Sequence, residues 1–152
     1  MGAKLNLGCS SAHHPGYLNV DIAPPADQIA DLNKQWPWAD SSIDAILGID
    51  IIEHLPNKIF TMNELHRVLK PGAMAELEVP ITPSDCAFAD PTHASFWNRK
   101  SFCYYEAGHP YHLQYAVAYG ITACFKVAEE YVRTMRDGPK LLIKLEKVDT
   151  HV

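Results

Sequence analysis

The sequence has no apolar run that approaches the roughly 20 residues of a membrane-spanning helix. Its first residues, MGAKLNLG, lack the long apolar core of a signal peptide. Internal repeats and low-complexity segments are absent too, which leaves an ordinary globular class. We therefore expect a cytoplasmic protein with no membrane partner.

The four cysteines include no C-x-x-C pair and are spaced widely and irregularly, at Cys9, Cys86, Cys103 and Cys124. This spacing suggests neither a zinc knuckle nor a disulfide framework. We expect reduced thiols.

Positive charge is also scarce, since 13 lysines and arginines face 18 acidic residues and the formal net charge is -5. This balance argues against a protein that binds duplex nucleic acid by neutralising its phosphates, and it favours a small-molecule partner. With 152 residues, of which 47% are hydrophobic, the chain is expected to form a single domain over 1–152.

Strands and one helix follow each other along most of the chain. Strands are predicted at 4–7, 17–22, 28–30, 43–48 and 73–80. Between the last two, apolar residues recur at helical spacing over 57–69, with Asn57 as the expected N-cap and Lys70-Pro71-Gly72 as the stop. This succession predicts an α/β fold with a mostly parallel sheet.

Two further regions complete the prediction. Residues 81–120 are aromatic and loop-rich, and we expect them to build a wall of a substrate pocket. Residues 125–148 give two strands joined at Asp137-Gly138, which predicts a C-terminal antiparallel hairpin.

The first two strands end in residues that are suited to a ligand with a ribose. Gly8 follows the first strand and permits a close approach of the ligand to the backbone. Asp21 ends the second strand, where a carboxylate accepts hydrogen bonds from ribose hydroxyls. A dinucleotide is the obvious alternative, but GCSSAH lacks the later glycines of G-x-G-x-x-G and the helix that this motif opens.

In order and spacing, LNLGCS, NVDI, ADL, WPWADSSIDAILGIDIIEHLP and NELHRVLKPGA resemble the motifs of the class I S-adenosylmethionine-dependent methyltransferases of type 11. The resemblance implies a Rossmann-like fold and the cofactor S-adenosyl-L-methionine. It assigns the cofactor contacts to Leu7, Gly8, Cys9, Ser10, Asp21, Ile22, Asp31, Leu32, Gly48 and Ile49.

The sequence departs from that family in the first motif. Ser10 stands where a second glycine is usual, and Asn6 stands where many relatives carry an acid. Gly8 and Asp21 are only 13 positions apart (21 − 8), too few for a full crossover helix. A shortened first helix is therefore predicted, with a loop near Ser10 holding the carboxylate end of the cofactor.

The segment DIIEH suggests a catalytic or metal site. Asp50, Glu53 and His54 are spaced i, i+3, i+4, so one helical turn would place all three on one face. The small-RNA 3′-terminal 2′-O-methyltransferases carry a similar acid-x-x-Glu-His and a later histidine, which His93 matches. This resemblance implies Mg, Mn or Zn held by Asp50, Glu53, His54 and His93.

The same residues have a metal-free interpretation, in which His54 bonds a neighbouring loop and Glu53 caps the following helix. His54, His93 and Asp50 are the predicted catalytic residues in either case. The expected reaction is methylation of a hydroxyl or amine on a small molecule or sugar. A homodimer is compatible with this reaction. The alternatives are a non-catalytic binding module and a 2′-O-methyltransferase acting on nucleic-acid ends.

Overall fold

A mixed seven-stranded sheet runs through residues 2–149, which are the residues that the computed structural model describes. Its strands are β1 Ala3–Leu7, β2 Leu18–Asp21, β3 Gln28–Ile29, β4 Ile43–Ile49, β5 Leu69–Pro80, β6 Phe125–Met135 and β7 Gly138–Lys147. They lie in the order β3-β2-β1-β4-β5-β7-β6. The first five pair in parallel, whereas β7 is antiparallel to both β5 and β6. The predicted α/β class and the C-terminal hairpin are confirmed.

The helices follow β4 in the chain. They are α1 Lys58–Val68, α2 Asp85–Ala89, α3 Arg99–Phe102 and α4 Pro110–Tyr119, with 3-10 turns at Ile52–His54 and Cys103–Tyr105. None of the helices in the described part of the chain is long and apolar enough to cross a membrane.

Helix α1 begins where the sequence predicts. The Asn57 side chain accepts a hydrogen bond of 3.0 Å from the backbone N–H of Phe60, which satisfies one of the unpaired donors of the first turn. The following strand begins earlier than expected. Its pairing with β4 jumps from Ile43–Leu69 to Ala45–Met74, so Lys70-Pro71-Gly72 forms an irregularity inside β5.

A polar network takes the place of the first crossover helix, and no helix occurs between β1 and β4 within residues 2–149. Asn6 Nδ2 donates to the Ala12 carbonyl at 2.8 Å and to Asn19 Oδ1 at 2.9 Å. Asn19 in turn donates from Nδ2 to Asp27 at 2.7 Å. Asn6 and Asn19 are almost fully buried, so these bonds offset the cost of burying their amides. The sequence predicts a shortened first helix, and the structure goes further, because the described residues have no helix there at all.

The hydrophobic core lies on one face of the sheet. Leu5, Leu7 and Leu77 of the strands join one buried cluster with Met62 and Leu65 of α1. Complete burial of each such side chain contributes about 1.5–3 kcal/mol. These contacts hold the parallel strands, and therefore their carboxyl ends, in fixed positions.

Residues 81–120 contain more helix than the sequence analysis predicts. Helix α4 has Pro110 at its first position and Gly120, with φ of 71°, at its end, which are ordinary start and stop signals. Only His112 and Ala116 of this helix are buried. Because most of its aromatic and apolar residues face outward, the helical apolar periodicity that would reveal it is weak.

Candidate functional site

The ends of β1 and β2 lie side by side. Leu7 pairs with Val20, and the Cys9 N–H donates to the Val20 carbonyl at 3.0 Å. The Asp21 carboxylate accepts from the Ser10 N–H at 2.8 Å and from the Ile22 N–H at 2.7 Å. Because a carboxylate has about four acceptor positions, roughly two remain for a ligand.

A cavity of about 150 Å³ opens beside these strand ends. It is lined by Gly8, Asp21, Ile22, Ala30, Asp31, Leu32, Asn33, Ile51, His54 and Leu55. The Asp31 carboxylate accepts from the Asn33 N–H at 3.0 Å, and this bond, with Lys34 close by, lowers the pKa of Asp31. The cavity therefore has an apolar wall and two carboxyl groups, those of Asp21 and Asp31.

The space beside Gly8 is filled by a side chain of the protein and is not open. Its φ is +64°, and a Cβ built on it would lie 2.6 Å from Ile51 Cδ1. Gly48 is restricted in the same region, because a Cβ there would lie 3.0 Å from Leu77 and 3.2 Å from Ile51. Both glycines therefore allow Ile51 to pack against the ends of the central strands.

A second cavity, of about 300 Å³, adjoins the first and is lined by acids and imidazoles. Its lining consists of Asp50, Glu53, His54, Pro80, Cys86, Ala89, Asp90, His93 and Asp137. His54 lines both cavities, so a group bound in one cavity lies close to a group bound in the other.

Hydrogen bonds orient both imidazoles. The Thr92 hydroxyl donates to Asp90 Oδ1 at 2.6 Å, so it is left to accept from His54 Nδ1–H at 3.0 Å. His93 Nδ1–H donates to the Ala87 carbonyl at 2.8 Å. In the neutral imidazoles, the Nε2 atoms of His54 and His93 therefore remain as acceptors, with the two ring centres 4.9 Å apart.

Glu53 is buried beside these imidazoles, and no hydrogen bond within the described residues offsets the cost of burying its carboxyl oxygens. It is 2% exposed, and neither of its carboxyl oxygens has a hydrogen-bond partner within the described residues. Burial, with a smaller contribution from the Asp50 charge, raises the pKa of Glu53 to about 8. One ligand atom from each of Glu53, His54 and His93 lies within 4.8 Å of the others.

Asp50 departs from its predicted geometry. It has φ of 50° and lies outside the 3-10 turn Ile52–His54, so the helical turn expected to align it with Glu53 and His54 does not form. Asp50 lines the same cavity, but its Oδ2 accepts from Lys140 Nζ at 2.5 Å. Asp50 is not among the residues whose ligand atoms lie within 4.8 Å of one another, and its other oxygen, Oδ1, is buried with no hydrogen-bond partner in the described residues. Its role as a metal ligand stays a prediction.

Residues 5–76 match a family model described as a methyltransferase domain. The matched span contains both strand ends, the first cavity and the segment from Asp50 to His54. This span covers 72 of the 152 residues (76 − 5 + 1), so just under half of the chain is similar to a methyltransferase domain. No curated protein matches it by sequence.

Solved structures share this methyltransferase fold. A chain of the complex between the Haloferax volcanii Trm112 methyltransferase activator and a methyltransferase is 14% identical, with a TM-score of 0.70 over 99% of this chain and 84% of that chain. A SAM-dependent methyltransferase from Methanosarcina mazei is 15% identical, with a TM-score of 0.66 over 97% and 92%. A 16S rRNA adenine methyltransferase from Catenulisporales acidiphilia is 12% identical, with a TM-score of 0.56 over 97% and 85%. At these identities the similarity shows the fold.

Half of the ten cofactor residues predicted for the methyltransferase line its first cavity: Gly8, Asp21, Ile22, Asp31 and Leu32. The other five lie nearby in structural positions. Leu7 and Cys9 are buried, Gly48 is paired within β4, and Ile49 ends that strand. Ser10, with φ of 45°, supplies the N–H that holds Asp21.

Sequence reasoning missed several methyltransferase residues that shape the two cavities. Ile51 and Asn33 line the first cavity. Thr92 orients His54. The Asp-Pro-Thr sequence could have indicated this turn, in which Asp90 also accepts from the Thr92 N–H at 2.8 Å. Lys140 reaches Asp50 from the distant hairpin, and nothing local in the sequence marks this contact.

Proposed function

We propose that the protein methylates a hydroxyl or amine of a small molecule or sugar, with S-adenosylmethionine in the first cavity and the acceptor in the second. The observation that carries this proposal is the position of His54, which lines both cavities. Methyl transfer requires the acceptor atom, the methyl carbon and the sulfonium sulfur in line, and adjoining cavities satisfy that requirement.

The first cavity supports the cofactor roles that the family resemblance implies. The free acceptor positions of Asp21 suit the two ribose hydroxyls, and Asp31 and Leu32 lie where the adenine edge would lie. Ile51 fills the space beside Gly8, so we assign Ile51 a contact with the methionine portion.

In the reaction, a lone pair of the acceptor forms the new bond to the methyl carbon while the carbon–sulfur bond breaks and S-adenosylhomocysteine leaves. The proton of the acceptor passes to Nε2 of His54 or His93, both of which are oriented to accept it. Asp50 acts through its charge, since Lys140 occupies one of its oxygens.

The second cavity supports an uncharged or cationic acceptor. Its lining includes four acidic residues, Asp50, Glu53, Asp90 and Asp137. Lys140 compensates Asp50 and Asp137, at 2.5 Å and 3.2 Å. Because the remaining charge would repel a phosphate or carboxylate, a hydroxyl or amine is the better match.

The Glu53-His54-His93 group also suits a divalent cation. The orphaned, buried carboxylate of Glu53 and two acceptor nitrogens form a mixed oxygen and nitrogen set that fits Mg, Mn or Zn. A bound cation would orient the acceptor hydroxyl and lower its pKa.

The same group supports a second candidate acceptor, the terminal 2′-hydroxyl of an RNA. The net charge of -5 opposes it, because RNA binding draws on cationic contacts to phosphates. We favour the small acceptor on this ground.

Two features support the remaining expectations. Cys9, Cys86 and Cys103 are thiols rather than disulfides, which supports a reducing cytoplasmic location. Residues 81–120 contribute Cys86, Asp90 and His93 to the second cavity, which supports their role as the substrate wall. The homodimer stays a prediction, to be checked by light scattering.

Labelled methyl transfer to separate pools of primary amines, polyols, monosaccharides and short RNA tests the proposal. Each pool is assayed with EDTA and with added Mg, Mn or Zn, and calorimetry with S-adenosylhomocysteine runs alongside. We expect binding of the cofactor product and transfer to one of the small-molecule pools. Transfer to RNA alone would select the second candidate, and cofactor binding without any transfer would leave a binding module.

A further inference from the structure

A third and larger cavity, of about 790 Å³, shares no lining residue with the two cavities of the proposed methyl-transfer site. Aromatic and aliphatic side chains form most of its wall, namely Phe96, Tyr104, Tyr105, Tyr119, Ile59 and Ile121. Its size falls within the range of sites that bind small organic molecules.

Lys58 is the only charged residue in the lining of this cavity. Its ammonium group lies 4.6 Å from the centre of the Trp97 ring and donates to the Phe96 carbonyl. No carboxylate within residues 2–149 forms an ion pair with it, and its desolvation lowers the pKa of Lys58. The cation is thus half-buried beside an apolar wall with no counter-charge.

The asparagine and serine side chains of the lining already have partners. Asn57 caps α1, and Ser101 completes the capping box of α3 with Asn98. The Ser95 hydroxyl donates to the Ile52 carbonyl and accepts from Trp97 Nε1. Apart from the tyrosine hydroxyls, Lys58 is the group in this lining with unused donor capacity, because an ammonium has three N–H donors.

Two further features favour an anion with a flat apolar body. Lys58 is the first residue of α1, where the helix dipole also attracts negative charge. Tyr104 and Tyr119 lie nearly parallel, 24° apart, and Phe96 and Tyr119 are 39% and 50% exposed. Exposed rings of this kind offer faces on which a planar group stacks.

We propose that this cavity binds an amphiphilic carboxylate, whose apolar body packs against Phe96, Tyr104 and Tyr119 and whose carboxylate pairs with Lys58. The site does not depend on the methyl-transfer reaction. It recognises its ligand by one ion pair in a poorly solvated setting, with affinity from apolar contact.

Calorimetry with three probes that share one apolar body tests the proposal: 4-phenylbutyrate, 4-phenylbutanol and 4-phenylbutylamine. We expect saturable binding of the carboxylate, weaker binding of the alcohol and the weakest binding of the amine. When the three titrations are repeated with S-adenosylhomocysteine present, the affinities of the probes should be unchanged. Equal affinity for all three probes, or no saturable binding of any, would overturn the proposal.

Variants of Lys58 test the contribution of its charge separately from that of the apolar side chains in the cavity wall. Lys58→Met should weaken the carboxylate at least tenfold and leave the alcohol within about twofold, whereas Lys58→Arg should retain most of the affinity. Lys126→Met, on the exposed lysine of β6, is the matched control and should change nothing. Circular dichroism checks that each variant is folded. An unchanged carboxylate affinity in a folded Lys58→Met protein would contradict the ion pair.

Discussion

Replacing Glu53 with glutamine tests the most unusual electrostatic feature of the site. The carboxyl is 2% exposed and without a hydrogen-bond partner in the described residues, and burial raises the pKa of Glu53 from 4.5 to about 8. Below pH 4.5 the group is protonated in both the folded and the unfolded states. Between pH 4.5 and about 8 only the unfolded state ionises, so the folded state loses stability as the pH rises.

The gap between 4.5 and about 8 corresponds to an upper limit of roughly 5 kcal/mol. Glutamine has nearly the same shape but does not ionise, so Glu53→Gln removes this penalty. We expect the variant to gain stability over the wild type by about 1.4 kcal/mol per pH unit across this window, and by at least about 2 kcal/mol in total after relaxation of the site.

Urea denaturation of both proteins at integer pH values from 5 to 9 measures this difference. Glu76→Gln is the matched control, because Glu76 is about half exposed and pairs with Lys144 at 3.6 Å. That control should stay within about 0.5 kcal/mol of the wild type at every pH. If the Glu53→Gln difference is flat from pH 5 to 9, the burial argument is wrong. Added Zn should stabilise the wild type at pH 8 but not Glu53→Gln.

Three other variants test separate parts of the site. Asp21→Asn should weaken S-adenosylhomocysteine by about 10- to 100-fold in calorimetry, because the ribose loses a charged acceptor. Thr92→Val should lower kcat about tenfold with little change in the cofactor KM, and shift the pH profile of kcat, because His54 loses the partner that fixes its tautomer. Lys140→Met should destabilise the fold by about 3 kcal/mol in urea at pH 7, because Asp50 loses its cation while its Oδ1 stays buried without a hydrogen-bond partner in the described residues.

Each of these three variants has its own control variant and its own result that would contradict the prediction. For the cofactor, Asp40→Asn on an exposed acid should leave the affinity unchanged, and an equal loss there would remove the ribose assignment. For the imidazole, Thr92→Ser keeps the hydroxyl and should restore kcat, whereas a loss equal to that of Thr92→Val would show a packing effect. For Lys140, the control is Lys144→Met, at a partly exposed lysine of the same strand. This control should lower the free energy of unfolding by less than about 1 kcal/mol. Equal losses for the two lysines would refute the burial argument.

The sequence predicts most of the parallel sheet because local signals are strong there. Apolar runs, the Asn57 cap and the Asp137-Gly138 turn each depend on residues close in the chain. The short distance from Gly8 to Asp21 was enough to predict that a full first helix does not fit. The network of Asn6, Asn19 and Asp27 that replaces it was not predictable, since its partners meet only after the strands pair.

The cavities were predictable only in part for the same reason. Asp21 and Gly8 follow from the rule that ligands bind at the carboxyl ends of parallel strands. The salt bridge from Lys140 to Asp50 joins residues 90 positions apart, so no local pattern in the sequence predicts it. The left-handed backbone at Asp50 breaks the helical spacing on which its expected alignment with Glu53 and His54 depended.

Because His54 forms part of the wall of both cavities, a cofactor in one and an acceptor in the other would both contact this side chain under the proposed function. Thermodynamic linkage would make any resulting coupling mutual: whatever factor the cofactor adds to acceptor affinity, the acceptor returns to the cofactor. Loss of the methyl group and its positive charge would change what His54 faces. One imidazole would then connect the loading of substrate with the release of product.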